Sequence, residues 1–502
     1  MFNKIITKEE IKFNELEKKI FKFVCFLGCM LIKLVLESYD QKLMKNRDKA
    51  KYRHKGKRKN TIKTVMGEVE YERAMYLVKE EEKIKYVFLL DEVMKISGIG
   101  KISQNLAETV MEVAVNTPSY RKAEANIEAM TNCSISHEGI RNKVIEIGNK
   151  IGKREKEEVL YMKKNQLVKG LKEIAALFEE ADGIWINLQG KDRNKRLEEQ
   201  KKKCKKEGKS FNPKAKVKTE LKLHVMYEGW KKEDKRHSLV NKVYIAGIMK
   251  PKEIRELRDA RIYQKYDEEK IQLRVVNGDG AAWTKGITPK GGIYQKDYFH
   301  IRQEIVRDVP KEYRNVIEEL VENKEYYKIP KAIHQLKYEV DGEEKKVEKL
   351  KRLESYLSSG LERYKDILVK QGKEIPVAPE GIEYRNMGTQ ESQIFSILKV
   401  RFCSGRKAFS EQGSNALAKV CVAVKDNEFK FEDIETSVSI DTSVENWIKE
   451  IENKIIKKNR NVGISNNFRD ISNCKTSSLT NAPKFLKEIA KEIDFLSMKC
   501  SF

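Results

Sequence analysis

Three carboxylates in this 502-residue chain stand where an acid is costly or conspicuous. Asp182 lies within FEEADGIWINLQ, residues 178–189, and shares parity with Ile184, Ile186 and Leu188. Side chains alternate along a strand, so this carboxylate falls on the apolar side. Asp279 closes the run LRVVNGD between Gly278 and Gly280, which leaves room for a ligand at the backbone. Glu391 opens a helical run with Phe395, Leu398 and Phe402 at +4, +7 and +11, near an apolar stripe. A carboxylate on a buried face is costly unless it is paired or holds a metal. Two aspartates on neighbouring strands and a later helical glutamate can hold two Mg²⁺ ions roughly 4 Å apart. Such a pair activates a nucleophile and stabilises the leaving oxygen of a phosphodiester. Each acid also has a plain structural reading. Asp182-Gly183 and Asp279-Gly280 are turn signals, and Glu391 could complement a helix dipole.

Other metal chemistry has little to work with. The eight cysteines include no CxxC pair and the six histidines form no constellation, so a metal here would be held by oxygen. Cys25 and Cys29 read as core residues of a helix, and the scattered thiols suit a reducing cytoplasm.

The elements that must position these acids follow from periodicity. Residues 1–40 read as one amphipathic helix, and Lys42–Lys63 is a basic stretch of net +10. Residues 64–78, TVMGEVEYERAMYLV, alternate around Gly67 as a short hairpin, and Leu90–Val115 returns to helix. Within 119–148 one helix ends near Met130, residues 131–135 connect, and Ser136 can cap a second helix. That is either an ordinary helical hairpin or a helix-turn-helix presenting Arg141, Asn142 and Lys143 to a major groove.

From about residue 150 the runs 178–189, 219–229, 239–248 and 271–279 are β-rich, with a helix at Lys252–Asp267 before the last of them. GGIYQKDYFHI, residues 291–301, makes a fifth strand. Three sequential strands followed by βαβ elements suit a mixed α/β sheet with helices on its faces, the element order of a ribonuclease-H-like domain. Residues 302–370 are polar and helical, with no strand signal beyond LKYEV at 336–340. A helix at 388–402 and two amphipathic helices beyond about 430 complete the chain. A second basic segment, Lys191–Lys218 of net +9, reads as a solvated, partly disordered loop.

The formal charge is +25, and the two basic segments supply +19 of it. An excess of that size makes nucleic acid the first partner to consider. The longest apolar run, Phe23–Ile32, has ten residues against the ~20 that span a bilayer, so a membrane protein is not expected. That run also lacks the basic leader and cleavage site of a secretion signal.

Four motifs in order, FEEADGIWINLQ, NGDGAAWTKG, KDYFHI and GTQESQIFSILKVRF followed by GRKAFSEQGSNALAKV, resemble the Lre-type bacterial insertion-sequence transposases, distant relatives of Mutator-type transposases. The resemblance runs from the basic N-terminal region to about residue 420. It implies a ribonuclease-H-like core with a DDE triad, matched here by Asp182, Asp279 and Glu391. It also implies Mg²⁺, with Mn²⁺ able to substitute. Phe409 departs from the tryptophan of the family's GRxxWS-like segment, and Glu179, Glu180, Glu383 and Glu411 lie close to the proposed acids. Asp297 and His300 are supporting or DNA-facing candidates beside the plainer reading of a strand end with a satisfied histidine. Trp185 and Trp283 could stack on a distorted base, or belong to the core.

The implied organisation is an N-terminal helix, basic segment and hairpin (1–89) and a helical DNA-binding region (90–150). A catalytic core (170–300 and 386–425) follows, with a helical insertion (302–385) and a helical tail (426–502). The function this implies is DNA transposition in a bacterial cytoplasm, associated with the nucleoid. The chain would bind transposon ends and target DNA as a homo-oligomer in a synaptic complex, and act by Mg²⁺-dependent strand cleavage and transfer. DNA would be held by Lys55, Lys57, Arg58, Lys59, Arg141, Lys143, Lys201, Lys202, Lys203, Lys205, Lys206, Arg401 and Arg406. The alternative from another class is a catalytically inactive DNA-binding regulator derived from a transposase.

Overall fold

The computed structural model describes residues 12–80, 83–94, 102–340 and 342–426. The helices expected beyond residue 430 lie outside the described residues. The chain divides into two compact units. One takes the described residues up to 107 together with 128–134; the other takes 108–127 and everything described from 135 on.

In the first unit, helix α1 (Phe13–Asn46) accompanies an antiparallel sheet of β1 (Arg53–Thr64), β2 (Gly67–Glu80) and β3 (Lys83–Val87), followed by a short α2 (Leu89–Val93). Leu36, Ile62, Val69, Tyr71 and Leu90 form its core, and Cys25 is buried as expected. Half of the basic stretch, from Arg53 on, is itself a strand. Its lysines and arginines up to Lys59 stay exposed, while Asn60, Ile62 and Thr64 turn inward. The hairpin turn does fall at Val65-Met66, but its first arm is β1 rather than part of 64–78. Lysines along an edge strand also discourage edge-to-edge association, so this charge has a structural use as well.

Helices α3 (Gln104–Asn116) and α4 (Tyr120–Met130) lead to α5 (His137–Lys163), whose N-cap Ser136 accepts from the Gly139 amide as its position suggested. Ile140, Val144, Ile147 and Ile151 bury one face of α5. Gly148 meets the backbone of Ala416 so closely that a Cβ would lie 2.4 Å from its carbonyl oxygen. The second helix of the hairpin is therefore a long packing helix of the second unit.

That unit is built on five strands: β4 (Ala176–Asn187), β5 (Lys218–Tyr227), β8 (Val243–Gly247), β9 (Leu273–Gly278) and β10 (Ile293–Lys296). Their order in the sheet is β10-β9-β4-β5-β8. β4–β5–β8 run antiparallel, whereas β9 and β10 run parallel to β4 on its other side. β4 is thus central, and Ala176–Asp182 are buried without a break. A strand covered on both faces reads as a continuous buried run. A small hairpin, β6 (Trp230–Glu233) with β7 (Arg236–Leu239), interrupts the antiparallel half and was not anticipated.

Three segments differ from their sequence expectation. The segment Lys191–Lys218 opens as helix α6 (Gly190–Lys206), which has no buried residue. Lysine, arginine, glutamine and glutamate are good helix formers, so a polar run can be helical without a core face. The fifth strand ends at Lys296, and the chain after Asp297 is helical. LKYEV is not a strand either: residues 336–339 are helical and Val340 follows as the C-cap. Helix α7 (Pro251–Lys265) and the short α8 (Ala282–Gly286) flank β9 in sequence. The insertion then comprises α9 (Tyr298–Asp308), α10 (Arg314–Glu322), α11 (Ile329–Glu339), α12 (Glu344–Leu357) and α13 (Tyr364–Lys370). It has its own core, which includes Ile305, Ile317, Ile333, Leu350 and Leu353. The chain returns through α14 (Gln390–Ile394), a π turn (Phe395–Lys399), α15 (Val400–Phe402) and α16 (Glu411–Lys425).

Candidate active site

The parallel register of β4 and β9 ends on the pair Ala181 and Gly278. Asp182 and Asp279 are the next residue of each chain, so they stand side by side at one end of the sheet. Asp182 is buried with Ile184 and Ile186, as its parity required. Its Oδ1 accepts from the Gly183 amide at 2.6 Å. Asp279 Oδ1 accepts from the Ala281 amide at 2.9 Å and the Thr284 hydroxyl at 3.2 Å. Burial, and then the charge of Asp182, push the Asp279 carboxyl above its ordinary range.

Two residues of KDYFHI join them. Asp297 occupies the N-cap position of α9 without a side-chain capping bond, and His300 lies in the first turn of that helix. His300 Nε2 stands 3.5 Å from Asp182 Oδ2 and has no hydrogen-bond partner. Burial opposes charge on this imidazole, but Asp182, Asp297 and Asp279 outweigh it and hold its pKa above the usual value. Asp297 is buried with Oδ2 unpartnered, while Oδ1 accepts from Asn277 Nδ2 at 3.2 Å. Burial raises its carboxyl pKa as well. The histidine is therefore not a satisfied strand-end residue. The signal was present in the sequence: Asp and His three apart share a face if the segment is helical, and on opposite faces if it is a strand.

Beneath these groups lies Glu180, fully buried, with its carboxyl raised by that burial. It accepts from Tyr227 Oη at 2.5 Å and from Thr389 Oγ1 at 2.9 Å. Asn277 Nδ2 approaches it at 3.4 Å. Thr389 thereby docks the segment that carries the third expected acid. Glu391 itself is partly exposed, and its Oε1 accepts from Lys399 Nζ at 2.5 Å. The buried stripe of its helix runs through Gln390, Ile394, Ile397 and Leu398, and Phe395 is 58% exposed. Glu391 therefore sits one residue off the stripe. The structure brings together Asp182, Asp279, Asp297 and His300, and leaves Glu391 paired with a lysine. Among the described residues no group of three or more His, Cys, Asp or Glu is placed to hold a metal. The donor chemistry nevertheless fits Mg²⁺ in part. Asp182 and Asp279 offer adjacent hard oxygens, and their mutual repulsion is what a divalent cation would relieve.

The expected DNA contacts divide. Lys55, Lys57, Arg58, Lys59, Lys201, Lys202, Lys203, Lys205, Lys206 and Arg406 are exposed, although Lys59 also pairs with Glu70. Arg401 is not a surface cation: it is 2% exposed and donates to the carbonyls of Ala114 and Pro118 at 3.1 Å each. Its guanidinium also lies 4.5 Å from the Tyr120 ring centroid, so it is committed to tertiary structure. Lys143 is largely buried beside Glu146, and Arg141 pairs with Glu138. Trp185 is 61% exposed and not core, because β4 runs on past the end of β9. Trp283 is core and donates to Glu220 Oε1 at 3.0 Å.

A family model matches residues 6–212 and 205–437, nearly the whole chain. The chain belongs to the uncharacterised protein family UPF0236. Its similar relatives include UPF0236 proteins of Caldanaerobacter subterraneus subsp. tengcongensis. One is 26% identical over 426 residues, covering 84% of this chain and 79% of the relative, and its name carries eleven locus designations. Another is 26% identical, covering 70% of this chain and 67% of its own. Among solved structures, a Drosophila P element transposase strand transfer complex aligns over 66% of this chain and 81% of that one. Its TM-score is 0.19 at 7% identity, too loose to carry an argument. No helix among the described residues of this UPF0236 protein is long and apolar enough to cross a membrane.

Proposed function

We propose that this UPF0236 protein is a DDE-type DNA transposase of an insertion sequence, with a ribonuclease-H-like core. The observation that carries the reading is the side-by-side placement of Asp182 and Asp279 on adjacent parallel strands of a mixed sheet. The antiparallel half β4–β5–β8 beside the parallel half β4–β9–β10 supports the core fold expected from the family resemblance. A relative with eleven locus designations in one genome is what a mobile element would leave.

On this reading Asp182 and Asp279 hold the cation, and Glu391 joins them once it leaves Lys399. Mg²⁺, when bound, supplies charge neutralisation and an activated oxygen nucleophile for phosphodiester cleavage and strand transfer. His300 faces Asp182 Oδ2, the oxygen that Gly183 leaves free, and Thr389 keeps the Glu391 segment against the sheet. The exposed lysines of β1 and α6 take the DNA backbone. The chain works in the bacterial cytoplasm, on DNA, as a homo-oligomer.

The second reading, an inactive DNA-binding derivative, is favoured by the Glu391–Lys399 pair and by the lack of a three-ligand set among the described residues. The gene's own flanking DNA separates the two. The transposase nicks it when Mg²⁺ is added, whereas the regulator binds the same DNA and leaves it intact.

A further inference from the structure

The helical insertion reaches the candidate site through one aromatic residue. β9 ends at Gly278, and Asp279-Gly280 make the turn that follows. Gly280 has φ +94, and a Cβ there would lie 2.6 Å from Cε2 of Tyr356. The turn therefore requires glycine twice, for its backbone angle and for the ring lying against it. Tyr356 Oη donates to the main-chain carbonyl of Asp279 at 2.9 Å.

Tyr356 is itself held from both sides. It stands in the last turn of α12, whose Leu350, Leu353 and Leu357 are buried in the insertion core. Its carbonyl is one of those a helix leaves unpaired at its C-terminal end. The ammonium of Lys296 donates to that carbonyl and lies 4.3 Å from the ring centroid. Lys296 is the residue of β10 in register with Gly278, and its amide donates to Gly360 O at 2.6 Å. Lys296 is buried, and no carboxylate lies within ion-pair distance of it among the described residues. A buried ammonium spent on a helix-end carbonyl fixes that helix against the strand next to Asp279.

We propose that Tyr356 is a positioning residue through which the helical insertion sets the Asp279 carboxylate for metal binding. The inference rests on the metal-dependent reading of Asp182 and Asp279. The side chain of Asp279 is oriented by Ala281 and Thr284, whereas its main-chain carbonyl is tied to Tyr356. Loss of the phenolic hydroxyl frees the turn while the ring still fills the space over Gly280. Partners of metal ligands typically cost about 10–100-fold in metal affinity or activity when removed.

The test is Tyr356→Phe in the full chain, with Tyr327→Phe, an exposed tyrosine of the insertion, as control. Two quantities are read: Mn²⁺ affinity by electron paramagnetic resonance, and the Mg²⁺ concentration giving half-maximal cleavage of the gene's flanking DNA. The proposal expects both to weaken about tenfold in Tyr356→Phe, with cleavage recovering at saturating Mg²⁺ and the control unchanged. A variant that melts lower but binds Mn²⁺ as the unchanged protein does would overturn it, leaving Tyr356 a packing residue. If the unchanged protein binds Mn²⁺ at Asp279 without cleaving, the transposase reading fails and Mn²⁺ affinity still decides the role of Tyr356. If it binds no Mn²⁺, both fall together.

Discussion

Asp182 and Asp279 are neighbours because each directly follows a member of the last registered pair of the β4–β9 seam, Ala181 and Gly278. Two acids from positions 97 residues apart in the sequence are thus placed by strand pairing alone. That placement has an electrostatic cost, and the cost makes predictions.

Asp279→Asn should stabilise the metal-free protein. Burial and the charge of Asp182 both disfavour the Asp279 carboxylate, and an asparagine oxygen can still accept from Ala281 and Thr284. The expected gain is on the order of 1 kcal/mol, read as a higher unfolding midpoint in urea with an unchanged slope. A lower midpoint would mean that the aspartate is structural.

The pair Glu391–Lys399 offers a second handle. Lys399→Ala frees the carboxylate, so the Mg²⁺ concentration for half-maximal cleavage should fall a few-fold, and Glu391→Gln should remove most of the cleavage. Equal behaviour of Glu391→Gln and the unchanged protein would exclude Glu391 from the site.

Glu179, on the strand beside Glu180, governs acid stability. Burial would raise its carboxyl, but Arg258, then Arg274 and His224, hold it well below the usual range. Burial lowers the pKa of His224, which stands 3.0 Å from Glu179 Oε2. Both folded-state values are depressed. Their stabilisation is complete above the unfolded values, about 4.3 for glutamate and about 6.5 for histidine, and is lost as the pH falls through them. The melting temperature should therefore begin to drop below about pH 6.5, and less so in His224→Gln. An identical acid limb in both proteins would contradict this assignment.

Helix α6 predicts a change in salt dependence without a change in stability, because it buries nothing. Alanine at Lys201, Lys202, Lys203, Lys205 and Lys206 should flatten the log–log salt slope of DNA binding by about 0.9 per lost phosphate contact. The melting temperature should stay put. An unchanged slope would mean that α6 does not lie on DNA.

How much of this was legible in the sequence depends on how local its cause is. Asp182 could be read because β-strand parity is local and its companions Ile184 and Ile186 are apolar. Ser136 could be read as a cap for the same reason. The sheet order could not, since pairing joins segments up to about a hundred residues apart. For His300 the sequence leaves two readings open, because IYQKDYFHI alternates well enough to pass for one strand, whereas the strand ends at Lys296 and a helix begins at Tyr298. A regular 3.6-residue period puts Glu391 near the apolar stripe, and the π turn at Phe395–Lys399 does not respect that period. Arg401 looked like a surface cation in a basic motif. Its burial depends on carbonyls at Ala114 and Pro118, which nothing near it in the sequence reveals.

The most direct test of the account is single-turnover cleavage of the gene's flanking DNA by the unchanged protein and by Asp279→Ala, with and without Mg²⁺. Nicking is expected only when Mg²⁺ and Asp279 are both present, with DNA binding retained in the variant. Cleavage that survives the substitution, or that proceeds without a divalent cation, would contradict it.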